Sequence, residues 1–387
     1  MTRFWVGAYG ADMGGDATGI GVLEGDDVGG PTTLADRGAA VAAPSPSWLV
    51  AHPVLDVVYA ALEREGAVQA FARTGETALS PLGAPLAVGA DVCHLAVDPA
   101  GAFLVAACYG DGGVVRVALD AAGRLGASSA ADAAVDPYAI VDLDAPSGLP
   151  IEDAGAPASG LLLFDEVLGL NAAPAPAPVA EEAPDAPGRT SHAHASAFLP
   201  DGRIATTDLG FDLVRIWRPA ATGLVLDHEI VLPQGVGPRH MVVHPSGHLH
   251  VVTEYSCEVF TLASGADGRW SVVAATPVAA DVQAGLDFPA ELSRSKDGTT
   301  LYAGVRGSNT IAALRVSGAG ETVAPLALVE SGVDWPRHHL VHDGALLVAG
   351  QRSGAISVLE LDDRTGAPRG IRHRAATPTP TCILLAR

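Results

Sequence analysis

Short apolar runs, each broken by Gly, Pro, Asn or Asp, recur along the whole chain, the signature of many short strands joined by tight turns. One run repeats in recognisable form. It opens on a polar or proline-led step and closes on His-Pro, Asp-Pro or Asp-Gly: PSWLVAHP from Pro46, VCHLAVDP from Val92, HAHASAFLPDG from His192, PRHMVVHPSG from Pro238, PAELSRSKDG from Pro289 and PRHHLVHDG from Pro336. A second apolar strand follows each within a few residues, as in VVYAALEREG from Val57 or LYAGVRGSN from Leu301, and a third usually follows that. The unit is a meander of three or four strands. Most copies start 45 to 52 residues apart, which suits a four-stranded propeller blade.

A seventh copy is split. FWVGAYGAD from Phe4 reads as a second strand lacking its first, and PTCILLA from Pro380 as a first strand lacking its second. Pairing the two in one blade closes a ring and removes exposed sheet edges. The expected fold class is therefore all-β: a seven-bladed β-propeller closed by its N- and C-terminal strands, with residues 1–387 as a single domain. One interval is far longer than the rest. Residues 121–190 read as the end of the third blade plus an Ala/Pro-rich insertion, with DAPSGLPIEDAGAPASG and APAPAPVAEEAPDAPG flanking the apolar LLLFDEVLGL. Two readings of the insertion stand, a lid over the site or an extended surface excursion.

Composition changes this picture in one respect. The formal net charge of −21 repels a phosphate backbone or an anionic membrane surface, so neither nucleic acid nor membrane is an expected partner. The N-terminus lacks the basic-then-apolar pattern of a secretion signal, and no stretch of 18 apolar residues occurs; the expected compartment is the cytoplasm. Cys93, Cys108, Cys257 and Cys382 are widely spaced, form no ligand pattern and read as buried thiols. Against so acidic a background, clustered arginines are informative. Lys296 is the only lysine; the other 22 basic residues are Arg.

Strands of a blade are labelled A to D from the channel outward. Because A and B are antiparallel, A-strand starts and B-strand ends share one end of the channel. The A starts carry Ser45, Ser47, His94, His192, His194, Arg239, His240, Glu291, Arg337 and His338. The B ends carry Tyr9, Glu63, Tyr109, Asp208, Glu254, Arg306, Gln351 and Arg352. One rim thus collects much of the chain's reactive polarity. His52, His244 and His342 fall at the opposite A–B turns and read as turn chemistry.

At these residues a resemblance becomes visible. SHAHA, DLGFD, GVGPRHMVVHPSG, VTEY and YAGVRGSN, with AYG in the first blade and PSPSWLVAHP in the second, together resemble the seven-bladed propeller lactonase family, which includes propeller-type 6-phosphogluconolactonases and a carboxy-cis,cis-muconate cyclase. The resemblance covers nearly the full length apart from the insertion. It implies catalytic positions at His192, with His194 as the alternative, Arg239, Glu254 and Arg306. Two departures stand out: Cys108 replaces the usual Asn before Tyr109-Gly110, and Gly188-Arg189-Thr190 stands where an Arg-Gln pair is expected.

Hydrolysis of a sugar lactone needs a base for water, a cation or donor for the oxyanion, and a cationic grip on any phosphate. The expected roles are His192 or Glu254 as base, Arg239 at the oxyanion, and Arg306 with Arg337 or Arg352 on an anionic group; Tyr9, Glu63, Tyr109, Asp208 and His240 complete the substrate-binding set. The expected partner is a small anionic substrate, most directly 6-phosphogluconolactone. No cofactor is implied, and the arginines beside Glu63, Asp208 and Glu254 argue against a metal. The alternatives are a muconate-type cyclase, a specialised-pathway enzyme on the same site, and a non-catalytic ligand- or protein-binding propeller. Oligomeric state is not encoded in any of these features.

Overall fold

The computed structural model describes residues 1–26, 33–139 and 188–386. It is all-β, with seven antiparallel sheets, six of them four-stranded. The second blade's outer position is shared by two short strands, Leu79–Pro81 and Leu86–Ala87, both paired to Ala67–Arg73. The ring closes as expected: Thr2–Ala8 pairs with Pro380–Leu385, with Val6 opposite Ile383 and Gly7 opposite Cys382. Leu125–Ala130 is the outer strand of the third blade. The chain divides into two units, residues 1–137 with 190–387, and residues 138–189. Residues 140–187, with most of the Ala/Pro-rich insertion and the lid reading of it, lie outside the described residues.

The core is distributed. Each apolar cluster straddles one junction between neighbouring blades: Trp5, Ile20 and Val22 pack with Leu49, Val58 and Phe71 between the first and second, and Phe4, Val6 and Leu23 with Leu347, Ile356 and Val358 between the first and seventh. A blade buries both faces only by having two neighbours. This is why B strands such as Val57–Leu62 and Thr300–Arg306 are buried throughout and read as unbroken apolar runs rather than alternating ones.

Every A strand carries one residue too many. Pro238 pairs with Thr253 and His240 with Val252, leaving Arg239 unmatched. Ser47, Cys93, Arg337 and Thr381 are unmatched in the same way, and the A strands of the fourth and sixth blades gain one residue across Ala193–Ser196 and Pro289–Leu292. A β-bulge at the same place in all seven blades breaks the two-residue alternation and re-aims side chains. Consecutive residues then both line the channel, an upper one at the bulge and a lower one after it.

Candidate active site at the channel mouth

The upper tier and part of the lower tier enclose a small cavity of about 10 Å³, lined by Ser47, Trp48, Cys93, His94, His194, Arg239, His240, Arg337 and Thr381. Both members of a consecutive pair appear from the second, third and fifth blades, as the bulge requires.

On the side of the fifth and sixth blades, Glu254 joins two arginines. Its Oε2 lies 2.9 Å from Arg239 Nε and 2.7 Å from Arg306 Nη2. Both guanidiniums are buried, 4% and 6% exposed. Arg306 is further pinned by donating Nε–H to Phe288 O at 2.9 Å and by the ring of Trp335, 5.3 Å away. Arg239 presents both Nη groups without a protein partner among the described residues. Burial, then the nearby Arg239, lowers Arg306 to about 10, while Arg239 itself is lowered by burial and by Arg337. Such mutual opposition marks a surplus of positive charge.

Across the mouth, Tyr9 donates its hydroxyl to Glu63 Oε1 at 2.9 Å. Arg337 lies 5.1 Å over the Tyr9 ring and donates Nη1–H to Gln351 Oε1 at 3.3 Å. Among the described residues no carboxylate comes within 4.0 Å of Arg337, and the rest of its guanidinium has no hydrogen-bond partner. Arg352 is exposed and lies 3.4 Å over Trp335, outside this group.

His192 and His194 separate. The His192 ring stacks on Tyr109 at 4.3 Å, its Nδ1 meets Tyr109 O at 2.6 Å and its Nε2 meets Thr190 Oγ1 at 2.9 Å. A carbonyl only accepts, so Nδ1 holds the proton and Nε2 is left accepting from Thr190. His194 lines the cavity instead, edge-on to Tyr109 at 6.1 Å. Burial and then Arg239 push His194 well below the usual imidazole range, which leaves it neutral.

Asp208 is placed as a turn anchor rather than a free carboxylate. Its Oδ1 accepts the backbone N–H of His192, Gly210 and Phe211 at 2.9, 3.1 and 3.0 Å, and its Oδ2 accepts from Ser191 Oγ. Gly210 is required beside it, because a Cβ there would overlap Thr190 O. This explains the DLG motif: it locks the SHAH segment to the fourth blade. Asp212 does the same for GVGPRH, accepting from Gly235 and Gly237 N–H at 2.8 Å each.

The lower tier is built to be uncharged. His94 and His338 each accept, at Nδ1, the backbone N–H of the next blade's A strand, from Ser196 and Ile383 at 3.3 and 3.2 Å, while His240 Nδ1 meets Leu292 O and N at 3.3 and 3.4 Å. Cys382 Sγ receives Leu49 N–H in the same way. The rings of His94 and His338 therefore carry their proton on Nε2. Burial pushes His94 down to about 3 and holds His240 and His338 well below the imidazole range. Glu291, 3.5 Å from His240 Nε2 and 3.9 Å from His338 Nε2, is pushed well above the carboxylate range by burial, against the pull of Arg239. His240 is thus an inter-blade staple as well as a cavity wall. At the far end, His52 is confirmed in its turn, Nδ1 accepting from Val54 and Leu55 N–H.

Four cavity or rim residues escaped sequence reasoning, Thr381 among them. Trp48, within the PSWLVAHP run, spans the channel, 4.3 Å from the ring of His94 and 5.3 Å from that of His338. Cys93 faces the cavity, where burial holds its thiol up to about 12 and so protonated. Trp335 adopts φ 62°, unusual for a bulky residue, with its N–H held by Asn309 Oδ1 at 2.8 Å. The WPRHH context was the available signal: an aromatic immediately before a proline-led A strand.

Comparison with known proteins agrees with this architecture. The family model "Lactonase, 7-bladed beta-propeller" matches residues 3–135 and 172–385. An uncharacterised protein of Lactococcus lactis, YwcC, is 26% identical over 324 residues, 82% of this chain and 81% of that one. The 6-phosphogluconolactonase of Bacillus subtilis is 26% identical over 200 residues, half of this chain and 56% of that protein. Among solved structures, a Lactobacillus plantarum protein superposes with a TM-score of 0.78 at 20% identity, covering 100% of this chain and 99% of that one. The Pseudomonas aeruginosa periplasmic gluconolactonase PpgL gives 0.78 at 18%, covering 99% and 98%. Fold, closure and family model converge: the chain belongs to the seven-bladed β-propeller lactonase family.

Proposed function

We propose that this protein hydrolyses a sugar lactone bearing a negative charge, with 6-phosphogluconolactone as the preferred substrate. One observation carries the reading: in a chain of net charge −21, three guanidiniums converge on one mouth, and those of Arg239 and Arg337 present unpartnered N–H groups. Glu254 and Glu63 offset two of the three charges. Glu291 does not offset the third, because burial keeps it protonated. One anionic charge completes the site.

Arg239 stabilises the oxyanion that forms as water attacks the lactone carbonyl, its Nη groups held in place through Nε and Glu254. Arg337 grips the remote anionic group through its planar fork. Neutral His194 hydrogen-bonds substrate without adding charge. Two names among the relatives support the class, the Bacillus 6-phosphogluconolactonase and the Pseudomonas gluconolactonase. Four unpaired, buried cysteines support a reducing compartment. The arginines would repel a divalent cation placed beside Glu63 or Glu254, so the reaction proceeds without a metal.

The test is proton release by purified protein with 6-phosphogluconolactone, gluconolactone and carboxymuconate in parallel, with and without chelator. Turnover of the phosphorylated lactone above the neutral one, undiminished by chelator, is the expected result. Turnover of carboxymuconate alone assigns the site to cyclisation, and no turnover of any of them overturns catalysis.

A further inference from the structure

The mouth holds several groups that look able to take a proton from water, and their contacts disqualify all but one. Glu254 commits one oxygen to two arginines, which hold it on the oxyanion side of the mouth. Asp208 is spent on backbone N–H groups and Ser191. The Nε2 of His192 is taken by Thr190. Burial and Arg239 oppose the positive charge that His194 would gain by taking a proton, and Glu291 lies in the lower tier, where burial favours its neutral form. Glu63 is 7% exposed and its Oε2, like His194 Nδ1 and Glu291 Oε2, has no hydrogen-bond partner; what sets it apart is Tyr9, which fixes its Oε1 and so aims the free oxygen.

Topology gives Glu63 the right position. It ends the B strand of the second blade, and in a ring of seven the fifth and sixth blades, with Arg239 and Arg306, stand on the opposite side of the channel. A lactone carbonyl whose oxygen points at Arg239 turns its carbon toward the second blade. The groups facing Glu63 are Tyr9 from the first blade, Arg337 from the seventh and Cys93 from the third, with Glu254 farther across the mouth. Only Arg337 is a cation, and it makes no ion pair with Glu63.

We infer that Glu63 is the catalytic base, with Tyr9 as the residue that positions it. This rests on the lactonase reading and completes it. Glu63 Oε2 takes a proton from water as the water oxygen bonds to the carbonyl carbon, and the carbonyl electron pair moves to the oxygen facing Arg239. Collapse of the tetrahedral intermediate breaks the ring C–O bond, and the departing alkoxide takes the proton back from Glu63. Lactone and water give a hydroxy acid, which releases its proton to solvent.

The experiment compares wild type, Glu63→Gln, Glu63→Ala and Tyr9→Phe on whichever lactone the wild type turns over. In Glu63→Gln, kcat is expected to fall about 10²–10⁴-fold, the range of a general base, with KM changed only a few-fold. Tyr9→Phe, which loses one hydrogen bond, is expected to lose about tenfold. Added formate is expected to restore part of the rate to Glu63→Ala and none to Glu254→Ala, a rescue that a merely structural role would not give. A Glu63→Gln protein with wild-type kcat, or formate rescue at Glu254 and not Glu63, overturns the assignment while leaving lactonase activity in place. A wild type inert on every lactone overturns the lactonase reading and this inference together.

Discussion

Arg239 and Arg306 close on the same oxygen of Glu254, from 2.9 and 2.7 Å. Two buried cations held to one acceptor depend on its charge. Glu254→Gln removes that charge and leaves two guanidiniums facing each other. Urea unfolding is expected to show a loss of about 3 kcal/mol, as for other buried ion pairs broken on one side. Initial rates should fall at least about 10²-fold, because Arg239 loses its hold.

Arg337 should set the preference between charged and neutral lactones. Its contacts with Tyr9 and Gln351 orient it but leave its charge unpaired. In Arg337→Gln, the ratio of kcat/KM for 6-phosphogluconolactone over gluconolactone is expected to drop by about 10–100-fold, the worth of one or two charge-assisted hydrogen bonds. An unchanged ratio would place the anion elsewhere.

The lower tier predicts a stability effect with no direct catalytic component. His338→Phe keeps a ring in the channel but leaves Ile383 N–H without its acceptor. The expected cost is about 1–3 kcal/mol in urea unfolding. Because Ile383 lies in the strand that closes the ring, hydrogen exchange should accelerate first at Pro380–Leu385.

Acid should unfold the protein early. A histidine held below its ordinary value in the folded state contributes stability above the unfolded value. That stability is lost as pH falls toward the folded one. For His94 and for His339, buried in the seventh blade's A strand Pro336–His342, both lowered to about 3, the window runs from about pH 6.5 to 3, and each costs about 1.4 kcal/mol per pH unit. His194, His240 and His338 shift in the same direction. Glu291 is raised, so its contribution has the opposite sign: stability present at low pH is lost as pH rises above the ordinary carboxylate value. One carboxyl against five imidazoles leaves the histidines in control. Urea midpoints should fall steeply between pH 6.5 and 5 and be nearly flat from 7 to 8.

Blade count, closure and the gathering of polar side chains at one rim were legible because each follows from strand order alone. The split copy at Phe4 and Pro380 announced the closure, and antiparallel pairing put Tyr9, Glu63, Glu254 and Arg306 on one rim. What the sequence hid lies in local geometry. SHAH presents two histidines that look equivalent, and only the stack on Tyr109 and the bond to Thr190 separate His192 from the cavity. Asp208 looks as free as Glu63 until the DLG turn folds its amides onto it. The consecutive pair Arg239-His240 breaks the alternation expected of a strand, and only the bulge explains why both face inward.

The recurring bulge also separates duties. Below it, residues such as His94, His240 and His338 tie neighbouring blades together and tolerate little change. Above it, Ser47, Cys93, Ala290 and Thr381 interleave with His194, Arg239 and Arg337, and the four small side chains make no ion pair. Two of these small residues still serve as joints, Thr381 donating to Ser47 O and Cys93 to His194 O. Ser47, whose hydroxyl makes no hydrogen bond, is the socket's exchangeable insert, and a new substrate preference is reachable there without loosening the wheel.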